Sequence, residues 1–242
     1  MTTNLGSPTI DRPWAMQQTW SKLLFAHWPL KSDILRPLIP PGLAVDTFDG
    51  QAWVGVVPFL MSSVRFRAAP PIPTAQQFCE LNVRTYVCPP GGQPGVWFFS
   101  LDAASLLAVM GARAAFHLPY YHAEMRLRND GKTTHYTSTR RSGQARFEGS
   151  YQPDGSVFSS QSGTLEHWLT ERYCLYAADR QKQLYRGDIE HIPWPLQRAT
   201  ADIQRNTMAQ AAGIDLPDTV PLLHYAERIH VRAWLLQSIT KP

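Results

Sequence analysis

From Glu80 to Val87, within the stretch FCELNVRTYV, the chain alternates polar and apolar residues, and this limits what it can fold into. Glu80, Asn82, Arg84 and Tyr86 fall on one face of an extended strand, and Leu81, Val83, Thr85 and Val87 fall on the other. Glu80 and Arg84 would sit ~13 Å apart along such a strand. That is too far to pair along it, but suits lining a cavity with opposite charges. The plainer reading is an antiparallel strand whose polar face meets water.

Other segments repeat the pattern. Tyr120–Arg128 alternates, GVWFFSL at 95–101 reads as a buried strand, and a further strand is expected over Gln144–Tyr151. Arg172–Ala178 and Leu184–His191 read as a pair of strands, and His224–Gln237 as one long strand or two. Asp49-Gly50, Asn129-Asp130-Gly131 and Pro153-Asp154-Gly155 are turn signals, and Pro58 marks an edge or a bulge. Helices are expected over Pro13–His27, where Trp20, Leu23, Leu24 and His27 form a stripe, and over Ala103–Phe116. A short helix is expected over Thr164–Thr170 and a longer one over Leu196–Ala212, ended by Gly213. The proline-rich 68–75 stretch reads as a loop, either wall or lid. The fold class is α+β and mainly antiparallel β. Residues 1–12 read as a loose arm, and 13–242, with no repeat or linker, as one domain.

The net charge is +4, but the basic residues are scattered and 18 of the 23 are arginine. This argues against a nucleic-acid surface and fits discrete contacts with carboxylates or other anions. Cys79, Cys88 and Cys174 are odd in number and lack metal-ligand spacing, which points to a reducing, cytoplasmic setting. There is no secretory signal pattern and no apolar run long enough for a membrane span.

FAHWPL at 25–30, LIPPGLAVDTFDGQAWVGVVPF at 38–59, FCELNVRTYV at 78–87 and GVWFFSLDA at 95–103 resemble the DUF2071 or YqjF-like family. LPYYHA at 118–123, LEHWLTERYCLY at 165–176 and HIPWPLQ at 191–197 extend the resemblance over nearly the whole chain. That family is similar in fold to acetoacetate decarboxylase. The resemblance therefore implies a coned or barrel-like sheet closed over an internal pocket, with flanking helices and possible homo-oligomers. The decarboxylase's aromatic-x-glutamate motif is similar to Phe78-Cys79-Glu80. Its Gly, Arg, Pro-Lys-Lys and Ala segment is similar to Gly111, Arg113, Pro119, Tyr120, Tyr121 and Ala123. Both lysines are thus tyrosines here. A phenol forms no imine, so the Schiff-base route is not expected. None of Lys22, Lys31, Lys132, Lys182 and Lys241 lies in a motif resembling the lost site.

The chemistry left is proton transfer beside a carbonyl, with no cofactor. Glu80 and Tyr120 are the expected catalytic pair, acid or base and hydrogen-bond donor. Arg84, Asn82, Arg113, Tyr121, His191 and Trp194 are the expected ligand contacts, with Arg84 gripping a carboxylate. The eight histidines show no HxH or HExxH spacing, there is no GxSxG, and no glycine-rich loop opens a helix, so no metal, serine nucleophile or phosphate site is expected. An enzyme of the lyase, isomerase or hydrolase kind and a protein that only binds or senses a small molecule both remain open.

Overall fold

The computed structural model describes residues 10–67, 77–106 and 116–239. Its strands are β1 (Met16–Leu30), β2 (Ala44–Val45), β3 (Ala52–Phe66), β4 (Gln77–Cys88), β5 (Gly95–Ala103), β6 (Tyr120–Asn129) and β7 (Thr134–Arg140). They continue with β8 (Arg146–Phe158), β9 (Cys174–Ala178), β10 (Leu184–Glu190), β11 (Leu196–Asn206), β12 (Leu222–Ala233) and β13 (Gln237–Ser238). Two short helices are described, α1 (Ser32–Leu35) and α2 (Leu165–Thr170). The Nε1 of Trp234 donates to the carbonyl of Arg12 at 2.7 Å, so the end of the expected loose arm is tied down.

All the described strands belong to one sheet, and it closes on itself. One circuit runs β5-β6-β7-β8-β11-β12-β1-β3-β4 and returns to β5, giving a nine-stranded barrel. A shorter circuit leaves it at β12, passes through β10 and β9 and rejoins at β5. The strands β12-β1-β3-β4-β5 are common to both circuits, so each shows one face to each interior. Leu24, Ala26, Val54, Val56, Leu81 and Val83 fill the nine-stranded barrel beside Tyr136 and Phe147. Leu23, Phe25, Val57, Phe59, Met61 and Phe78 face the other interior. Pairing is antiparallel except where β5 meets β6 and β9.

The strand expected at 78–87 is β4, with Glu80, Asn82 and Arg84 on one side and Leu81 and Val83 on the other. Two expected helices are strands instead. Pro13–His27 falls mainly in β1, which is bulged at Lys22, a residue with φ of 54°. The bulge reverses the alternation, so Met16, Gln18 and Trp20 and then Leu23 and Phe25 all face one interior. That phase slip places Trp20 and Leu23 three apart on one side, as a helix would. Pro58 lies opposite the same irregularity, between the Ser21–Leu60 and Ala26–Val56 pairs, so its missing N–H falls where the ladder is broken.

Leu196–Ala212 is β11 followed by a 3-10 turn over Gln210–Ala212 that Gly213 ends. Ala199, Ala201 and Ile203 pack on the barrel core while Arg198, Thr200 and Asp202 face out, a two-residue period hidden behind good helix-forming residues.

The turn expected at Pro153–Gly155 is absent, because β8 runs through it and pairs Asp154 with Arg198. Asp49 and Gly50 do form a two-residue turn, both with positive φ, between hydrogen-bonded Phe48 and Gln51. The strand before it peels away, however, and β2 pairs with β4. The helix expected over Ala103–Phe116 lies for the most part in 107–115, outside the described residues, as do Gly111 and Arg113, and Ala103 itself ends β5. The 68–75 loop also lies outside them. No described helix is long and apolar enough to cross a membrane.

Candidate active site

The shorter circuit encloses a cavity of about 250 Å³. Glu80, Asn82 and Arg84 enter it from β4, Tyr120 from the start of β6, and His191 and Trp194 from the corner between β10 and β11. Six of the eight expected site residues therefore line one space. Arg113 lies outside the described residues. Tyr121 is not in this cavity. As the residue after Tyr120 it projects from the opposite face of β6, where the Arg140 guanidinium lies 3.8 Å from the centre of its ring.

Glu80 is 3% exposed. The Tyr120 hydroxyl donates to its Oε2 at 3.2 Å. Burial lifts the Glu80 carboxyl from its ordinary 4.5 to about 8, against the pull of the Tyr120 hydrogen bond and with a smaller push from Asp102. At neutral pH the group is therefore mostly a neutral acid. Burial and the neighbouring Glu80 raise the Tyr120 phenol well above its ordinary range, so Tyr120 keeps its proton.

Arg84 is buried, and among the described residues no carboxylate pairs with it. Its two hydrogen bonds, to the Tyr86 hydroxyl and the Leu169 carbonyl, are both long at 3.5 Å, and its Nε has no partner among the described residues. Phe25 and Tyr86 flank the guanidinium, with ring centres 5.3 and 5.8 Å away. Asn82 Oδ1 is likewise buried without a partner among the described residues.

A layer behind Arg84 fixes its place. The Tyr86 hydroxyl donates to the Leu169 carbonyl at 2.7 Å and contacts His27 Nε2 at 2.7 Å. Its single proton is used, so His27 donates from Nε2 and its bare Nδ1 is left without a partner among the described residues. Burial and then Arg84 hold the His27 imidazole well below its ordinary range, which keeps it neutral. Gly55 makes room for that ring, since a Cβ there would lie 3.0 Å from His27 Cδ2 and Nε2 and 3.4 Å from Arg84 Cγ. Gly55→Ala should therefore displace His27 and lower stability by about 1–3 kcal/mol, read as an earlier urea midpoint; an unchanged midpoint would show that the ring has slack.

The other charges on the wall are compensated. Arg172 pairs with Asp46 at 2.7 Å. Asp188 pairs with Arg12 at 2.6 Å and Arg186 at 2.9 Å. His191 bonds the Ile192 carbonyl through Nδ1 at 2.7 Å and stacks on Tyr173, and burial lowers its pKa. Trp194 packs between Trp20 and Phe25, with ring centres 6.0 and 4.9 Å away. The two buried thiols, Cys79 and Cys174, are both pushed up to about 11 by burial and are poor nucleophiles at neutral pH. None of the described lysines reaches the cavity wall, and Lys22 pairs instead with Glu227 at 2.7 Å.

Of the supporting set, alternation placed Tyr86 on the face of Arg84, while Gly55, His27 and Leu169 left no local mark in the sequence as its partners. Leu169 meets Tyr86 across 83 positions of chain, and only the closure of the barrel brings them together.

The pattern of the DUF2071 family, described as an uncharacterized conserved protein, matches residues 17–230. The chain belongs to the DUF2071 family. Within reach of this DUF2071 chain is YqjF of Bacillus subtilis (strain 168), an uncharacterized protein 48% identical over 229 residues, which are 94% of each chain. Among solved structures, acetoacetate decarboxylase from Legionella pneumophila superposes with a TM-score of 0.66 over 98% of this chain and 94% of its own, at 11% identity. The enduracididine biosynthesis enzyme MppR, complexed with the condensation product of pyruvate and imidazole 4-carboxaldehyde, superposes with a TM-score of 0.66 over 94% of this chain and 90% of its own, at 12% identity. An acetoacetate decarboxylase-like enzyme from Sphingomonas wittichii RW1 reaches 0.63 over 98% and 99%, at 12% identity. The fold of this DUF2071 chain is that of acetoacetate decarboxylase.

Proposed function

We propose that the cavity binds a small carbonyl compound bearing a carboxylate, and that the protein is a cofactor-independent enzyme moving a proton beside the carbonyl. The observation that carries this reading is one buried wall holding a neutral carboxylic acid, Glu80, and an arginine, Arg84, with no carboxylate partner among the described residues. An uncompensated buried guanidinium is costly, and a ligand carboxylate would relieve it with charge-assisted hydrogen bonds. The neutral acid donates a proton to an enolate carbon, whose electron pair returns from the oxygen to form the C–H bond and leaves Glu80 ionised. In reverse, the C–H proton passes to ionised Glu80, the electron pair moves to the carbonyl oxygen, and the Tyr120 hydroxyl donates to that oxygen. A solved structure of MppR complexed with pyruvate, at 12% identity and a TM-score of 0.65, supports an oxo acid as the kind of ligand this fold encloses.

The two tyrosines at the decarboxylase's lysine positions favour a second reading, a protein that binds or senses the same ligand without turning it over. Incubation with 2-oxo acids in heavy water separates the two. An enzyme should speed exchange of the hydrogens beside the carbonyl, seen by proton NMR, and Glu80→Gln should slow that exchange about 100-fold or more. Binding without faster exchange than buffer leaves the sensing reading. Arg84→Gln should weaken binding at least tenfold by calorimetry, and equal affinity in that variant would sink the carboxylate assignment under either reading.

A further inference from the structure

We infer that the ligand is an oxo monocarboxylate with an apolar tail, branched aliphatic or aromatic, and not pyruvate itself, a dicarboxylate or a phosphorylated acid; this rests on the proposed carboxylate-binding reading. Three features of the cavity lead there. The first is its charge. Arg172 is paired with Asp46, and Asp188 with Arg12 and Arg186. Glu80 and His191 are both shifted toward their neutral forms. Among the described lining residues this leaves a single uncompensated charge, the guanidinium of Arg84. One carboxylate neutralises it. A second negative charge on the ligand would be buried with no partner, and a neutral ligand would leave Arg84 unrelieved.

The second feature is the wall. Away from β4 it is made by Trp20, Leu23, Phe59, Met61 and Trp194, and Phe78 at the start of β4 adjoins them. Trp20 stacks on Trp194 at 22° between planes, and Phe25 meets Trp194 edge-on at 90°. Rings set at these angles present both faces and edges, which suits a flat or branched apolar group. The third feature is size. An engineered cavity of ~150 Å³ takes up benzene. In proportion, about 250 Å³ holds a ligand of roughly ten non-hydrogen atoms. An oxo-acid head alone would leave more than a third of that volume, and most of the apolar wall, without contacts.

The test is calorimetric titration of the full chain with four acids sharing one 2-oxo acid head: pyruvate, 4-methyl-2-oxopentanoate, phenylpyruvate and 2-oxoglutarate. Each methylene-sized group buried is worth about fourfold in affinity. The better of 4-methyl-2-oxopentanoate and phenylpyruvate should therefore bind roughly 10- to 60-fold tighter than pyruvate, and 2-oxoglutarate no tighter than pyruvate. If pyruvate or 2-oxoglutarate binds as tightly as the better apolar acid, the tail assignment is overturned while the carboxylate reading stands. If none of the four binds, both are overturned. Arg84→Gln should weaken all four acids while preserving their ranking, and a changed ranking would mean that the tail does not occupy the aromatic wall.

Discussion

Arg140→Met should lower the free energy of unfolding by about 3–5 kcal/mol at pH 7, the largest loss expected of any single change on this side of the barrel. Arg140 grips Asp102 through two parallel hydrogen bonds, Nε to Oδ1 and Nη2 to Oδ2, both 2.7 Å. Asp102 is fully buried and Arg140 nearly so. Burial already raises the Asp102 pKa even with this partner in place. Without Arg140, Asp102 must either stay charged in an apolar setting or take up a proton. The folded-state pKa then rises further above the unfolded value, so the deficit should be greatest at alkaline pH and shrink as the pH falls. Replacing both residues, Asp102→Leu with Arg140→Met, should restore most of the stability, because the pair as a whole offsets little more than its own desolvation. Urea unfolding of the two single variants and the double variant measures this coupling. A loss below about 1 kcal/mol in Arg140→Met would show that water reaches Asp102.

That pair also bears on the site. Asp102 lies on β5 beside β4, and its charge is one cause of the raised Glu80 pKa. A neutral Asp102 in Arg140→Met would let the Glu80 pKa fall, moving downward the alkaline limb of a pH–rate profile in which Glu80 acts as the acid.

What the sequence conveyed depended on how far each signal reached. The strand β4 was legible because alternation is local and its neighbours did not disturb it. The same reasoning failed in β1, where one residue in a bulge, Lys22, reversed the phase and made an extended strand mimic a helical stripe. It failed again at Ala199–Ile203, where helix-forming residues sit in a strand because β8 pairs with them and β12 holds the strand's first residues, Leu196–Arg198. Of the site, Glu80, Asn82, Arg84 and Tyr120 could be placed in one space from alternation and resemblance together. Tyr121 was drawn in by the same resemblance, although adjacent strand residues face opposite ways. The seat of Arg84 was legible only in Tyr86, which alternation set on the same face. Its parts are Gly55, His27, Tyr86 and the Leu169 carbonyl, held together by packing between distant segments. The raised pKa of Glu80 is likewise a property of enclosure, which alternation alone does not convey.

That enclosure gives the second large effect. Between pH 6.5 and 8.5 the stability of the native protein relative to Glu80→Gln should fall by on the order of 2 kcal/mol. The Glu80 carboxyl titrates at about 8 when folded against an ordinary 4.5. The folded state thus holds the proton more tightly than the unfolded state. Its stabilisation is complete below pH 4.5 and is lost with rising pH up to about 8, above which the curve is level. The buried histidines act in the opposite sense. His27, His191 and His224 all have lowered pKa values, so the unfolded state binds protons more tightly below the ordinary 6.5 and stability declines on the acid side. They act alike in the native protein and in Glu80→Gln, so the difference between the two isolates Glu80. Glutamine keeps an acceptor for the Tyr120 hydroxyl but cannot ionise, so the variant should match the native protein near pH 6 and exceed it at pH 8.5. Urea unfolding of both proteins at pH 6.5, 7.5 and 8.5 decides the matter. Parallel curves would mean that Glu80 ionises freely in the folded state, and the neutral acid on which the proposed proton transfer depends would be lost with it.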